Sequence, residues 1–179
     1  MIRAFAALAL PEPVRFDLML LQQGLPIPRA APPESLHLTL VFLGEIGERL
    51  LEDIDSAFRA IIAPRFELAI AGVDLFGGPR PRLVYAGVST NPALSHLQAK
   101  VETAARNAGL ALPGRRFVPH VTLARLPKRF TDRERLERAI ANRGAYAAPR
   151  FDVEDFRLFR SHLGGEGPLY EELARYPLG

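Results

Sequence analysis

One order of predicted elements, strand, helix, strand, helix, strand, is found twice in this chain, with the second copy offset by roughly 80–85 residues. Phe66-Glu67-Leu68 and Phe151-Asp152-Val153 begin equivalent final strands. An internal duplication of this kind predicts two similar lobes related by a pseudo-twofold axis. We therefore expect an α+β fold, a single bilobal domain over residues 1–179, with antiparallel or mixed sheets that face a central groove. Lobe one covers about residues 1–78 and lobe two about 79–179, and the terminal strands are free to exchange between lobes.

The boundaries of the elements follow from apolar periodicity and from residues that begin or end helices. Asn91 followed by Pro92 predicts a capped helix start, and Thr131-Asp132-Arg133-Glu134 has the spacing of a capping box. The Gly-Gly-Pro turn at 77–81 is the expected hinge between the lobes. The predicted strands cover residues 2–10, 37–43, 66–76, 83–88, 117–123, 151–159 and 168–176.

Each copy of the repeat carries the same four-residue pattern in its middle strand, His37-Leu38-Thr39-Leu40 and His120-Val121-Thr122-Leu123. The chain has only 4 His and five Thr, so chance would put Thr two residues after two of the His in about one chain in a hundred. Alternate residues of a strand share a face, so the His and Thr of each motif point to one side and the apolar residues to the other. If the duplication brings the two strands together, two imidazoles and two hydroxyls converge.

Two imidazoles and two hydroxyls suit phosphoryl transfer without a metal. An in-line displacement at phosphorus needs a base for the nucleophile and an acid, on the opposite side, for the leaving oxygen. Histidine serves as either near neutral pH. The hydroxyls of Thr39 and Thr122 could donate to the non-bridging oxygens as their negative charge grows.

Two other interpretations of the motifs stay open. A histidine on a half-buried strand is usually structural, and that interpretation applies to either motif taken alone. A metal site with two His ligands would want a carboxylate nearby, and neither motif offers one, so no metal and no cofactor is expected. The chain has no Gly-x-Ser-x-Gly elbow, phosphate-binding loop or dinucleotide fingerprint, which argues against serine hydrolases, NTPases and nucleotide-cofactor enzymes.

Composition limits the setting and the partner. With no Cys there are neither disulfides nor thiolate sites, and no apolar run approaches the roughly 18–20 residues of a membrane helix. We therefore expect a soluble, cytoplasmic protein with no membrane contact. The basic residues are 21 Arg against 2 Lys, and nine of them lie between Arg115 and Arg143, against three acidic residues. This local excess of positive charge favours a phosphate-bearing partner.

Two His-x-Thr-x motifs about eighty residues apart resemble those of the two-histidine (2H) phosphoesterase superfamily. The segments PPESLHLTLVFLGEI, PRLVYAGV, RRFVPHVTLAR and FRLFRSHLGGEGPLY resemble the LigT-like branch, the RNA 2′,3′-cyclic phosphodiesterases. The likeness covers essentially the whole chain. It implies a bilobal α+β fold with the catalytic groove between the lobes, and metal-independent opening of a 2′,3′-cyclic phosphate to a 2′-phosphate. It also implies a second reaction, the 2′–5′ ligation of tRNA halves.

The resemblance also assigns residues by position. His37 and His120 match the catalytic pair, Thr39 and Thr122 match the phosphate-binding hydroxyls, and Arg125 matches a basic residue of this branch. By analogy with related enzymes, His120 is the expected base and His37 the expected acid. Phe42 and Tyr85 are candidates for stacking on a nucleobase, although either could equally belong to the core; Tyr85 stands where many relatives have Trp.

The expected function is thus RNA 2′,3′-cyclic phosphodiesterase. A 2′–5′ RNA ligase and a non-catalytic module that binds RNA ends are the alternatives. The expected partner is RNA, or a nucleotide, with a 2′,3′-cyclic phosphate end. A monomer is expected because the groove is self-contained.

Overall fold

The structure is a computed structural model that describes residues 1–164 and 167–179. The strands in these residues are β1 (Ile2–Ala9), β2 (His37–Ile46), β3 (Phe66–Leu68), β4 (Ile70–Phe76), β5 (Leu83–Val88), β6 (His120–Arg125), β7 (Phe151–Val153), β8 (Asp155–Gly164) and β9 (Gly167–Pro177). The helices in them are α1 (Glu12–Gln23), α2 (Glu48–Arg59), α3 (Pro92–Asn107) and α4 (Arg133–Ala141).

The duplication is visible in the sheets. Strands pair in the order β4-β5-β6-β2-β1-β8-β9 in one large sheet, and β3 pairs with β7 in a two-stranded sheet. Every named strand pair is antiparallel. The predicted α+β class with antiparallel sheets is confirmed. Strand β4 of the first copy lies beside β5 of the second, and β8 of the second lies beside β1 of the first. The lobe boundary near residue 78 and the hinge at 77–81 stay predictions.

Two predicted strands were wrong in the same way. Residues 66–76 divide at Ala69 into β3 and β4, and residues 151–159 divide at Glu154 into β7 and β8. The division occurs because β3 and β7 pair with each other, Phe66 opposite Val153, whereas β4 and β8 join the large sheet. Strand β6 begins at His120 and not at residue 117 as predicted. Pro119, just before it, has no N–H to donate to a ladder.

The starts of two helices test the predicted caps. The side-chain oxygen of Asn91 accepts from Leu94 N–H at 3.1 Å, so the predicted cap of α3 is confirmed. The predicted capping box at 131–134 is wrong. Helix α4 begins after Asp132, whose φ of −93° and ψ of 37° are not the extended values of a capping residue, and no side chain caps it. The Asp132 carboxylate instead lies 3.5 Å from Arg135.

The hydrophobic core lies between the helices and one face of the large sheet. Apolar residues at helical spacing on α1 and α3 are buried there because they lie on one side of each helix: Val14, Leu18, Leu94, Leu97 and Val101. They share one cluster with the alternate apolar residues of the two motif strands, Leu38, Leu40, Val121 and Leu123. The helices thus bury one face of β2 and β6 and leave the face with the polar residues uncovered by this core.

Candidate functional site

Strands β2 and β6 are neighbours at the middle of the sheet, and Leu38 lies opposite Val121. In an antiparallel pair this register sets His37 across from Thr122, and Thr39 across from His120. The four polar side chains are half-buried, while Leu38 and Val121 are fully buried on the other face. The structure therefore brings both predicted His/Thr pairs onto one face of the sheet, with the two histidines diagonally opposed.

The two imidazoles are held in the same way. His37 Nδ1 lies 2.7 Å from the carbonyl oxygen of Ser35, and His120 Nδ1 lies 2.7 Å from that of Val118. A carbonyl can only accept, so each Nδ1–H donates and, in the neutral ring, Nε2 carries the lone pair. His37 Nε2 accepts from the Thr39 hydroxyl at 3.1 Å. Each histidine therefore keeps Nε2 as the nitrogen that can take or give a proton.

Stacked aromatic rings from equivalent strands lie beside each histidine. On one side Phe5 of β1 stacks on His37 with 4.8 Å between ring centroids, and Phe159 of β8 stacks on Phe5 at 5.4 Å. On the other side Tyr85 of β5 stacks on Phe76 of β4 at 4.2 Å. These two strand pairs are the ones that the duplication relates. The repeat thus extends from the motifs to the walls of the site.

His120 contacts both aromatic rings on its side. Its ring lies 5.0 Å from Phe76 and 5.5 Å from Tyr85, edge-on in both cases. One face of Tyr85 is covered by Phe76, so that face is closed to a nucleobase. Phe42, by contrast, is 64% exposed and tilts against Phe5 at 6.2 Å. Of the two predicted stacking residues, Phe42 is the better placed, and its stacking on a base stays a prediction.

Burial changes the acidity of His37. It is the largest cause of a pKa of about 4 for His37, lowered from the ordinary 6.5. The hydrogen bond to Ser35 opposes this shift, and the nearby charges of His120 and Arg125 add to it. His37 is therefore neutral at pH 7 in the free protein. Because the charge of Arg125 lowers the pKa of His37, the Arg125 guanidinium lies close enough to the site to act on it electrostatically.

The last residue of each motif forms a one-residue bulge. On β6, Thr122 pairs with Tyr85 and Arg125 with Leu83, so Leu123 is an extra residue in the ladder. Leu83 and Tyr85 are two apart and share a face, so Thr122 and Arg125 share one as well. On β2, Leu40 is an extra residue in the same way, because Ala6 pairs with Val41 and Ala7 with Thr39.

The bulge on β2 turns Phe42 to the face of the histidines, as the bulge on β6 turns Arg125 to that face. Phe5 pairs with Phe42 and Ala7 with Thr39, so Phe42 shares the face of Thr39. Strict alternation without a bulge would have turned both Phe42 and Arg125 toward the core.

Tyr170 is a site residue that the sequence analysis missed. It comes from β9, which has no counterpart in the first copy of the repeat, and its ring lies edge-on to His37 and to Phe5. Burial raises the pKa of Tyr170, and the charges of Arg125 and Arg3 oppose this shift. Comparison of the two copies could not have found Tyr170, because the strand that carries it has no equivalent.

Neither a metal cluster nor a membrane helix is found in the described part of the chain. Within residues 1–164 and 167–179 no group of three or more His, Cys, Asp or Glu side chains could hold a metal ion. Over the same residues no helix combines the length and the apolar character needed to span a bilayer.

Comparison with known proteins agrees with this geometry. The model of the 2′-5′ RNA ligase superfamily matches residues 13–165. An RNA 2′,3′-cyclic phosphodiesterase of Methanothermobacter thermautotrophicus is 32% identical over 184 aligned positions, which cover 99% of each chain. One of Archaeoglobus fulgidus is 31% identical over 146, covering 81% of each. The crystal structure of E. coli LigT complexed with 3′-AMP has the same fold, with a TM-score of 0.82, 24% identity and coverage of 99% of this chain and 98% of that one.

The predicted membership of the two-histidine phosphoesterases is confirmed, and the predicted class, a phosphodiesterase, is the class for which the curated relatives are named. On its sequence and its fold together, the chain belongs to the 2′-5′ RNA ligase superfamily.

Proposed function

We propose that the protein is a metal-independent RNA 2′,3′-cyclic phosphodiesterase that opens a terminal cyclic phosphate to a 2′-phosphate. That it is a phosphodiesterase follows from its family and its named relatives. The observation that carries the finer proposal is the pair of diagonally opposed histidines on one face of the sheet, each with Nδ1 bound to a carbonyl and Nε2 left for proton transfer.

The reaction requires two proton transfers, one from the attacking water to a base and one from an acid to the leaving oxygen. Water attacks phosphorus as its proton passes to Nε2 of the base, which we assign to His120. The bond between phosphorus and the ribose O3′ breaks, and O3′ takes a proton from Nε2 of the acid, His37. The products are a 2′-phosphate and a 3′-hydroxyl. Both proton transfers use imidazoles of this chain, so no metal-bound water is required.

To act as the acid, His37 must be protonated when the substrate is bound, so its pKa must then be higher than in the free protein. In the free protein this pKa is about 4, so His37 must gain a proton when the substrate binds. The cyclic phosphate is an anion, and a negative charge beside an imidazole raises its pKa. If the pKa of His37 stays near 4 with an inert phosphate bound, the two roles are reversed.

The remaining groups would hold the phosphate. The hydroxyls of Thr39 and Thr122 share the face of the histidines and can donate to the non-bridging oxygens. The Arg125 guanidinium adds charge-assisted donors on the same face. The Thr39 hydroxyl, which donates to His37 Nε2 in the free protein, would turn to the phosphate when His37 becomes protonated.

The test is hydrolysis of a 2′,3′-cyclic nucleotide and of an oligonucleotide with a 2′,3′-cyclic phosphate end, both in excess EDTA. We expect turnover and a 2′-phosphate product, identified by phosphorus NMR. Activity that EDTA abolishes and a divalent metal restores would contradict metal independence. RNA binding with unchanged ends on every substrate would favour the non-catalytic module instead.

Ligation is the second candidate, and the family's name is the observation that favours it. Closing a 2′–5′ bond is the same displacement at the cyclic phosphate, with an RNA 5′-hydroxyl in place of water as the nucleophile: its proton passes to the base, the bond between phosphorus and O3′ breaks, and O3′ takes a proton from the acid. Incubating tRNA halves that carry a 2′,3′-cyclic phosphate and a 5′-hydroxyl would give a joined product resistant to nucleases specific for 3′–5′ bonds. Hydrolysis without any joined product would leave only the phosphodiesterase.

A further inference from the structure

Gln22 and Gln98 are two buried polar side chains of the core, and the duplication relates their surroundings. Gln22 lies on α1, the first helix of the first copy, and Gln98 lies on α3, the first helix of the second. Gln22 Nε2 donates to the carbonyl of Leu123 at 2.9 Å, and Gln98 Nε2 donates to that of Leu40 at 3.5 Å. Each buried amide thus reaches the extra residue that ends the His/Thr motif of the other copy.

The bulged carbonyl of Leu123 is held at two points. It accepts from Gln22 and from the backbone N–H of Ala31 at 2.8 Å, and the Gln22 amide also donates to the Ala31 carbonyl at 2.9 Å. Gln22 is only 5% exposed, so water cannot readily replace its donors. A bulge interrupts the ladder of its own strand, and the Gln22 amide donates to the carbonyl at that interruption.

Bulge geometry determines where Arg125 points. Thr122 and Arg125 share a face only because Leu123 is extra in the ladder, and one slip in register would turn Arg125 to the face of the core. We propose that Gln22 is a positioning residue for Arg125: by holding the bulge at Leu123 from behind the sheet, it keeps the guanidinium on the face of His120 and Thr122. This inference deepens the proposed function, since it assumes that Arg125 binds the phosphate.

Gln98 offers a matched comparison within the same chain. Its contact with Leu40 is long, at 3.5 Å, and its amide also donates to Glu102 at 2.8 Å. The bulge that it contacts lies on β2 and acts on Phe42, not on Arg125. Replacing Gln98 by Leu therefore removes a buried amide, as Gln22→Leu does, but its effect should not depend on whether Arg125 is present.

The experiment is a double-mutant cycle between Gln22→Leu and Arg125→Ala, measured by binding of inorganic phosphate and by kcat/KM on a 2′,3′-cyclic nucleotide. Alone, Gln22→Leu should weaken phosphate binding about tenfold and lower kcat/KM about ten- to a hundredfold, as expected when a binding group is displaced by about an ångström. In the Arg125→Ala background its further effect on either quantity should be below about threefold. The Gln98→Leu variant should give effects that add to those of Arg125→Ala.

Equal effects of Gln22→Leu with and without Arg125 would overturn the proposal, since they would indicate a general structural role. If wild-type protein hydrolyses no cyclic phosphate, the proposed function fails, and the phosphate-binding cycle still tests the coupling.

A second variant covers the case in which Gln22→Leu does not fold. In Gln22→Glu the protonated carboxyl can donate to Leu123 and the ionised one cannot. Its phosphate affinity relative to wild type should therefore improve as the pH falls, and Arg125→Ala should remove that trend. A ratio that does not change with pH, or a trend that survives without Arg125, would contradict the proposal.

Discussion

The ring of Tyr170 stands edge-on to the imidazole of His37, with 5.1 Å between the ring centroids and an interplanar angle of 89°. Tyr170 comes from β9, the strand without a counterpart in the repeat, so His120 has no equivalent of this contact. The contact of Tyr170 adds to the burial that lowers the pKa of His37 to about 4.

Replacing Tyr170 should therefore change the pKa of His37 in a specific way. We expect Tyr170→Ala to raise this pKa from about 4 toward the ordinary 6.5, because water would then reach the imidazole. Tyr170→Phe keeps the ring and should leave the pKa near 4. Titration of the imidazole protons by NMR measures both. An unchanged value in the Ala variant would mean that Phe5 and the sheet alone bury His37.

The division of roles between the histidines can be tested with the leaving group. Each general acid or base typically contributes about 10²–10⁴ in rate, so His37→Ala and His120→Ala should each cost that much, whereas His96→Ala, at an exposed position of α3, should cost nothing. A nitrophenyl phosphodiester no longer needs an acid, so it should rescue His37→Ala far more than His120→Ala. Rescue of His120→Ala alone would reverse the assignment.

Removal of either threonine hydroxyl should be milder. Thr122→Val and Thr39→Val should each lower kcat/KM about 10–10²-fold, as expected for one hydrogen bond of about 1.5–3 kcal/mol to a developing charge. Thr39→Val should also shift the pH dependence of the rate, because the Thr39 hydroxyl contacts His37 Nε2. Among the described residues no equivalent contact joins Thr122 to His120, so Thr122→Val should leave the pH dependence unchanged. Identical pH profiles for the two variants would contradict this difference.

The duplication made the element order, and the convergence of the His/Thr pairs, predictable. Apolar alternation with a period of two could not reveal the bulges. At the bulge on β6 the extra residue Leu123 and its neighbour Ala124 are both buried, so the sequence shows a continuous apolar run and not a change of face. Arg125 and Phe42 were therefore suggested by resemblance alone. The sheet change at Ala69 was equally hidden, since an apolar run reads as one strand whichever sheet it joins.

Tyr170 and Gln22 show a second limit of what the sequence alone can predict. The repeat identifies residues by their equivalents in the other copy, and Tyr170 lies on a strand that has none. Gln22 looks like an ordinary polar residue on a helix, and its importance depends on a contact with a strand 101 residues away in sequence. Such contacts follow from tertiary packing, which local pattern does not encode.

RNA longer than a mononucleotide should bind through surface charge. Arg115, Arg116, Lys128 and Arg129 are exposed on the two segments that flank β6, whereas Arg133 and Arg135 pair with Glu137 and Asp132. The KM for an oligonucleotide should therefore rise with salt more steeply than the KM for a cyclic mononucleotide. Lys128→Ala with Arg129→Ala should flatten only the first dependence. Equal salt dependences for both substrates would mean that the body of the RNA does not touch this surface.

The pKa of His37 also predicts how stability depends on pH. The folded value of about 4 lies below the unfolded 6.5, so below pH 6.5 the unfolded chain binds a proton that the folded chain does not. The free energy of unfolding contributed by a neutral His37 is thus fully present above 6.5 and is lost as the pH falls through 4. At about 1.4 kcal/mol per pKa unit, the loss is at most about 3.5 kcal/mol.

Comparison with His37→Gln isolates this contribution from the carboxylates that titrate in the same range. The difference in unfolding free energy between wild type and variant, from urea denaturation at a series of pH values, should be constant above pH 7 and should shrink between 6.5 and 4. Added phosphate should weaken this dependence, because the bound anion raises the pKa of His37 in the folded state. A difference that grows as the pH falls would mean that His37 is already protonated in the free protein.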